Sequence, residues 1–326
     1  MTPVPLIPAA GGHREAGAQI GAATADVVRS AAAKPFDAEL VGRYRAVTEE
    51  HLPWIVEELH GVAEAAGANP LGVFAASVEE LEAAVPGTGC TDLVCALSDR
   101  VLVAHNNDLE REDEEDIVAI EWRVDGEPTL FTLGIGPWIS VGWNDAGLSV
   151  TGNEVSPNDE RVGIPRLLQV RDVLTRTTLD DAVAATLHPA RASSYNWVLA
   201  HPVGGAIDVE GSATDAEMIA PNEEGKLAHT NHYVHRRMAA YEQETSIAGS
   251  EVRWRRAQQL LDEPLATPED LHAALADHEN SPDSLCRHDG AIKTVFWCVT
   301  DLTTGEIRYG RGNPCDSEIQ VYRFER

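Results

Sequence analysis

Cys90 lies in Thr88-Gly89-Cys90-Thr91, where the hydrophobic period of the chain changes from helical to strand-like. A thiol that follows a glycine at the edge of a sheet can attack its own upstream peptide carbonyl. Glycine leaves that carbonyl unshielded and tolerates a strained backbone there. A cut between Gly89 and Cys90 would give residue 90 a free α-amine, of pKa about 8, beside its own thiol. That amine can take the thiol proton, so the nucleophile needs no histidine. The competing reading is a buried structural cysteine, because free Cys is among the most buried residue types.

Such a nucleophile needs groups that orient the base and stabilise an oxyanion. Asp108 ends the second strand of the hairpin that starts just after Cys90, so pairing returns its carboxylate to the nucleophile. Its other reading is a turn former at a strand end. Asn144, in Trp143-Asn144-Asp145-Ala146-Gly147, and Asn231, in His229-Thr230-Asn231-His232, are amides able to donate to an oxyanion. A tight turn and a loop hydrogen bond are their plainer roles. Arg287 and Arg311 are the C-terminal cationic candidates, against the usual solvated or paired arginine. Trp138, Trp143, Tyr195 and Trp197 offer apolar surface, either to an acyl group or to the core. His229, His232 and His235 have a spacing compatible with metal ligands, but lack the i, i+4 register and glutamate of a zinc-protease helix. No metal site is expected.

The bulk composition narrows the partners. With 326 residues and 43% hydrophobic content, the chain can bury a sizeable core. A net charge of −28 opposes binding to nucleic acid or an anionic membrane. Five cysteines form no disulfide framework, and the odd count suits a reducing compartment. The N-terminus lacks a basic start and an apolar core, and no segment approaches the roughly 18–20 apolar residues of a membrane span. A cytoplasmic protein is expected.

The elements that must position these residues follow from periodicity. Asp37 caps a helical stretch running to about Gly67, with Pro53 starting a second helix, and Leu71–Ala84 reads as a helix ended by Pro86-Gly87. After Cys90 come three hairpins, turning at Ser98-Asp99-Arg100, Asp125-Gly126 and Asn144–Gly147. A helix is expected over about 164–187, then four strands between 196 and 229. Two helices follow, over 251–263 and 267–278, the second opened by Thr267-Pro268-Glu269-Asp270. Strands over 294–300, 307–310 and 318–324 close the chain. The order suits two sheets between helix layers.

Taken in order, Gly89-Cys90-Thr91, Asn106-Asn107-Asp108, the turn Gly142–Gly147, His229–His232, Cys286-Arg287-His288 and Gly310-Arg311 resemble the acyl-coenzyme A:6-aminopenicillanic acid acyltransferase family. These are self-processing proteins of the C45 peptidase class, in the N-terminal-nucleophile hydrolase superfamily, and the related choloylglycine hydrolases share their logic. The resemblance covers residues 89 to about 326, with Asn107 standing where many relatives carry an aromatic.

The resemblance implies an α+β fold, a four-layer αββα sandwich, with autocleavage between Gly89 and Cys90 and Cys90 as nucleophile. It implies that Asp108 orients the site, that Asn231 and Asn144 support the oxyanion, and that Arg287 is the functional arginine. Residues 1–89 are then a helical segment released as a separate chain, held tightly to the 90–326 catalytic segment within one globular unit. The expected activity is cleavage of a small acyl-amide through a Cys90 thioester, the acyl group passing to water or an amine. Arg311, Trp143 and Tyr195 are the substrate-binding candidates. No cofactor is expected, with a coenzyme A thioester left open as acyl donor, and a homo-oligomer is compatible with the sequence. The alternative from another class is an unprocessed, non-catalytic small-molecule-binding protein of the same fold.

Overall fold

In the computed structural model, residues 2–82, 87–243, 247–288 and 290–324 are described. The chain starts with a strand that the sequence did not announce, β1 (Leu6–Gly11), followed by α1 (His13–Ala23) and α2 (Ala25–Ala32). Then come α3 (Ala38–His51), α4 (Pro53–Ala66) and the short α5 (Pro70–Ala75). Asp37 caps α3 through the N–H groups of Glu39 and Leu40, and Pro53 occupies the first turn of α4. The expected helix to Ala84 ends early, at Ala75, and its far end with Pro86 lies outside the described residues. The Ala/Gly-rich start is helix α1, lying backbone-close to α4. A Cβ on Gly17 would come 2.1 Å from the Glu58 carbonyl oxygen, and one on Gly61 equally near that of Arg14.

The hairpins follow as β2 (Gly89–Ala96) with β3 (Val101–Glu110), β4 (Ile117–Val124) with β5 (Leu130–Ile135), and β6 (Trp138–Asn144) with β7 (Ser149–Asn153). The helical stretch over 164–187 is two helices, α6 (Arg166–Val173) and α7 (Leu179–Thr186), because the Thr178 hydroxyl caps a new start at Asp181. Next come β8 (Asn196–His201), β9 (Gly205–Gly211), β10 (Ala216–Ile219) and β11 (Lys226–His229). Helices α8 (Ile247–Leu261) and α9 (Pro268–Leu275) precede β12 (Ile292–Asp301), β13 (Glu306–Arg311) and β14 (Gln320–Tyr322). Thr267 and Asp270 close the expected capping box on α9.

The strands form two sheets, ordered β1-β4-β5-β6-β7-β8-β9-β10 and β11-β2-β3-β12-β13-β14. Strand alternation sends Val101, Val103, Phe296 and Cys298 of the second sheet against Phe131, Leu133, Val141 and Trp143 of the first, making the inter-sheet core. The opposite face of the first sheet packs on α1, α6 and α7. The opposite face of the second packs Leu93, Leu102 and Trp297 on α8 and α9. The result is the αββα sandwich expected.

Residues before Cys90 are built into this core. Ile7, Ala9 and Ile20 share one cluster with the first sheet, and α2–α5 pack on Ile164, Leu168 and Ala192. Arg171 of α6, buried, donates to Glu58 of α4 at 2.8 Å and to Glu127 at 2.6 Å. The segment is mostly helical but contributes an edge strand, so the purely helical expectation is corrected. No described helix is long and apolar enough to cross a membrane.

Candidate active site

The β2–β3 hairpin sets Gly89 opposite Asp108, Cys90 opposite Asn107, and Asp92 opposite His105. Strand alternation divides these into two faces. Cys90, Asp92, His105 and Asn107 point between the sheets. Gly89 and Asp108 lie on the face that carries the helices. Cys90 is 8% exposed, and it lines a cavity of about 160 Å³ that opens to solvent.

Two side chains from distant parts of the sequence meet the backbone of Cys90. The Cys90 N–H donates to Asn231 Oδ1 at 2.8 Å, and Asn231 Nδ2 donates to the Glu154 carbonyl at 3.0 Å. Arg253, buried on α8, donates through Nη1 to the Cys90 carbonyl oxygen at 2.6 Å and to Thr91 Oγ1 at 3.1 Å, while its Nη2 donates to Asn231 Oδ1 at 2.9 Å. These contacts explain Gly89. A Cβ there would lie 2.5 Å from Arg253 Nη2 and 2.8 Å from Asn231 Oδ1, and both are pinned by hydrogen bonds.

Asp108 is fully buried and accepts from Thr294 Oγ1 at 2.7 Å, while its Oδ2 has no hydrogen-bond partner among the described residues. Burial raises its pKa, opposed by the positive charges of Arg253 and Arg287. Arg287 Nη1 stands 3.9 Å from Asp108 Oδ2 and donates to the Gly87 carbonyl at 2.5 Å. The expected arginine therefore grips the chain just upstream of the Gly89–Cys90 bond. Asp108, Arg287 and Asn231 are all brought to the Gly89–Cys90 backbone, Asn231 as an acceptor from the Cys90 N–H rather than as the expected oxyanion donor. The aspartate, however, reaches it from the helix-bearing face, in the company of two guanidinium groups.

On the other face His105 Nδ1 lies 3.1 Å from Asp92 Oδ1, both side chains buried, and His105 Nε2 has no hydrogen-bond partner among the described residues. Burial opposes charge on this imidazole, but the Asp92 carboxylate and, to a lesser degree, the Cys90 thiol hold its pKa up at about 10. Sequence reasoning missed His105, Asp92 and Arg253. The first two follow from the hairpin register, since Cys90, Asp92 and the residues opposite share a face. Arg253 has a signal of its own: with Ala257 and Leu261 it forms the i, i+4, i+8 buried stripe of α8, an odd place for an arginine.

The cavity wall is mainly apolar. Trp138, Tyr195, Trp197, Ile135, Leu167 and Val170 line it, with Glu79 and Glu154 as its charged members. The Tyr195 hydroxyl donates to Glu79, and Arg166 braces both acids from behind, donating to Glu79 at 2.9 Å and to Glu154 at 2.8 Å. Trp138 and Tyr195 are thus where an acyl group would go. Trp143 is not: alternation along β6 turns it into the inter-sheet core beside Phe131.

Two further candidates are committed elsewhere. Asn144 Nδ2 donates to the carbonyls of Leu174 and Arg176, and its Oδ1 accepts from Leu148 N–H, so the amide locks the β6–β7 turn to the end of α6. Arg311 donates to the Ile117 carbonyl at 2.8 Å and faces Glu115, anchoring the loop before β4. Nor do the three histidines converge. His229 spends Nε2 on Glu210 and Nδ1 on Asn153, and His232 Nδ1 lies 2.8 Å from Ser250 Oγ.

A buried thiol thus stands on an inner strand of an αββα sandwich, with a glycine upstream and a cavity beside it. Residues 95–316 match the family model for acyl-coenzyme A:6-aminopenicillanic acid acyl-transferase. The chain belongs to that family. Among solved structures, a variant of conjugated bile acid hydrolase from Clostridium perfringens aligns with TM-score 0.49 and 14% identity, covering 72% of this chain and 97% of its own. The N-acylethanolamine-hydrolyzing acid amidase ortholog of Caenorhabditis elegans aligns with TM-score 0.47 and 14% identity, over 66% and 93%.

Proposed function

We propose that this chain cuts itself at Gly89–Cys90 and then cleaves small apolar acyl-amides through a thioester on Cys90. One observation carries the reading: the peptide nitrogen that would become the catalytic amine is already held, its N–H bonded to Asn231 Oδ1 at 2.8 Å. In the first step Cys90 Sγ attacks the Gly89 carbonyl carbon. The C–N bond breaks, its nitrogen takes a proton, and Gly89 is left as a thioester on sulfur. Water then releases the Gly89 carboxylate and the thiol. In turnover the freed α-amine takes the thiol proton and sulfur attacks the substrate carbonyl. The leaving amine departs protonated, and water or an acceptor amine receives the acyl group. Asn231 and Arg253 keep the amine and the Cys90 carbonyl in place, and Asp108 balances the charge of Arg253 and Arg287.

The wall of the cavity supports a neutral, largely apolar acyl group. Its charged members among the described residues are Glu79 and Glu154, both paired to Arg166, so the wall presents no cation to a phosphate. Hydrolysis of a simple amide therefore fits the site better than transfer from a coenzyme A thioester. The intact mass of the purified protein tests the reading. Two fragments, the smaller ending at Gly89, are expected, with a single uncut chain for Cys90→Ala. An uncut wild-type chain without turnover of N-acyl amides would sink the enzyme reading in favour of a binding protein.

A further inference from the structure

Away from the cavity, four soft ligands converge that the sequence reading did not associate. The loop between α9 and β12 supplies His278, Cys286 and His288, and the connection after β13 supplies Cys315. Their ligand atoms all lie within 4.8 Å of one another. The two imidazole Nε2 atoms are 3.0 Å apart and the two sulfurs 3.7 Å. His288 Nε2 is 3.4 Å from Cys286 Sγ and 3.2 Å from Cys315 Sγ.

A zinc ion about 2.3 Å from sulfur and about 2.0 Å from nitrogen sets tetrahedral edges of about 3.8 Å between sulfurs, about 3.5 Å from sulfur to nitrogen and about 3.3 Å between nitrogens. The four separations given above fall within a few tenths of an ångström of their edges, and the two between His278 Nε2 and the sulfurs are within 4.8 Å. We propose that His278, Cys286, His288 and Cys315 bind one zinc ion in a closed Cys₂His₂ site.

The donor set selects the metal. Two thiolates and two imidazoles suit zinc, whereas calcium or magnesium would demand oxygen ligands. Binding expels the two thiol protons, and the dication with two thiolates and two neutral imidazoles has no net charge, so the site needs no further counter-ion. His278 and Cys315 are exposed, leaving an entry path, while Cys286 is buried. Asn313 Nδ2 donates to Cys286 Sγ at 3.4 Å and to the Arg287 carbonyl at 2.7 Å, and the Cys286 N–H donates to the Asp277 carbonyl at 2.9 Å. With four protein ligands the site is structural. Arg287 sits between two of them, so the metal would stiffen the loop that carries its guanidinium to Gly87 and Asp108.

The test is the metal content of untagged full-length protein, purified without chelator and with its thiols kept reduced. About one zinc per chain is expected, and cobalt replacing it should give the intense visible absorption of a tetrahedral thiolate site. His278→Ala with Cys315→Ser, both at exposed positions, should remove both signals while circular dichroism stays unchanged. Zinc should also protect Cys286 and Cys315 from thiol labelling in the wild type. A wild-type chain that takes up neither zinc nor cobalt, or a double variant that binds them as well as wild type, would overturn the proposal. So would a Cys286–Cys315 disulfide persisting under reduction. These readouts do not depend on whether the chain cuts itself.

Discussion

The guanidinium of Arg253 donates to the main-chain carbonyl oxygen of Cys90 across 2.6 Å. A residue from a helix after the eleventh strand thus fixes the peptide unit that carries the Cys90 thiol, and the other arm of its fork fixes Asn231. Arg253→Met should lower stability by about 3–5 kcal/mol, because it strips Asp108 of a buried counter-charge and leaves two acceptors without donors. Arg253→Lys keeps the charge but not the fork, and should recover part of the stability with little of the cleavage rate. Urea midpoints and a mass-spectrometric cleavage time course separate the two effects.

Gly89 is hemmed in by the same two side chains. Gly89→Ala should cost about 1–3 kcal/mol through overpacking and slow self-cleavage by on the order of 100-fold, because the scissile carbonyl shifts relative to sulfur. A variant that cleaves at the wild-type rate would show that the close fit has no bearing on the cut.

Much of this arrangement is legible in the sequence, for reasons that differ by residue. The tight turn after Leu97 fixes the hairpin register, so Asp108 falls opposite Gly89 as soon as the two strands are recognised. Helix caps at Asp37 and Thr267 are local chemistry and read directly. The strand β1 was hidden because Pro8 argues against a strand, yet as the outermost strand of its sheet β1 tolerates a missing donor. Arg253 reaches Cys90 only through the packing of α8 on the second sheet, a contact no local pattern encodes. Trp143 and Trp138 look equivalent as aromatics, yet β6, with a register shift between them, carries one to the core and the other to the cavity.

The two asparagines should part company on mutation. Asn144→Ala leaves the Leu148 N–H and two carbonyls unpaired, which should cost about 1–3 kcal/mol while the folded protein still cleaves normally. Asn231→Ala should instead slow cleavage and turnover together, since it frees the Cys90 N–H. Thermal midpoints and cleavage rates measured on both variants decide the assignment.

His105 provides the pH dependence. Its folded pKa of about 10 stands above the ordinary 6.5, with Asp92 outweighing burial. The folded state therefore binds this proton more tightly than the unfolded state. The stabilisation is fully present below about pH 6.5 and fades as the pH climbs through about 10. Comparing urea stability of wild type and His105→Gln across that window should show the gap closing toward high pH, and imidazole NMR should find His105 still protonated at neutral pH. A gap that widens would reverse the assignment.

The strand Leu6–Gly11 runs parallel to β4 as the border of the larger sheet, and the helices behind it fill the same core. A cut at Gly89–Cys90 would therefore alter the molecularity of folding without altering the fold. Before it, the border strand is tethered, at an effective concentration of order millimolar. After it, reassembly becomes a second-order encounter between two chains. In dilute solution the matured protein would be able to unfold once but would recover only at a rate set by how often its halves meet.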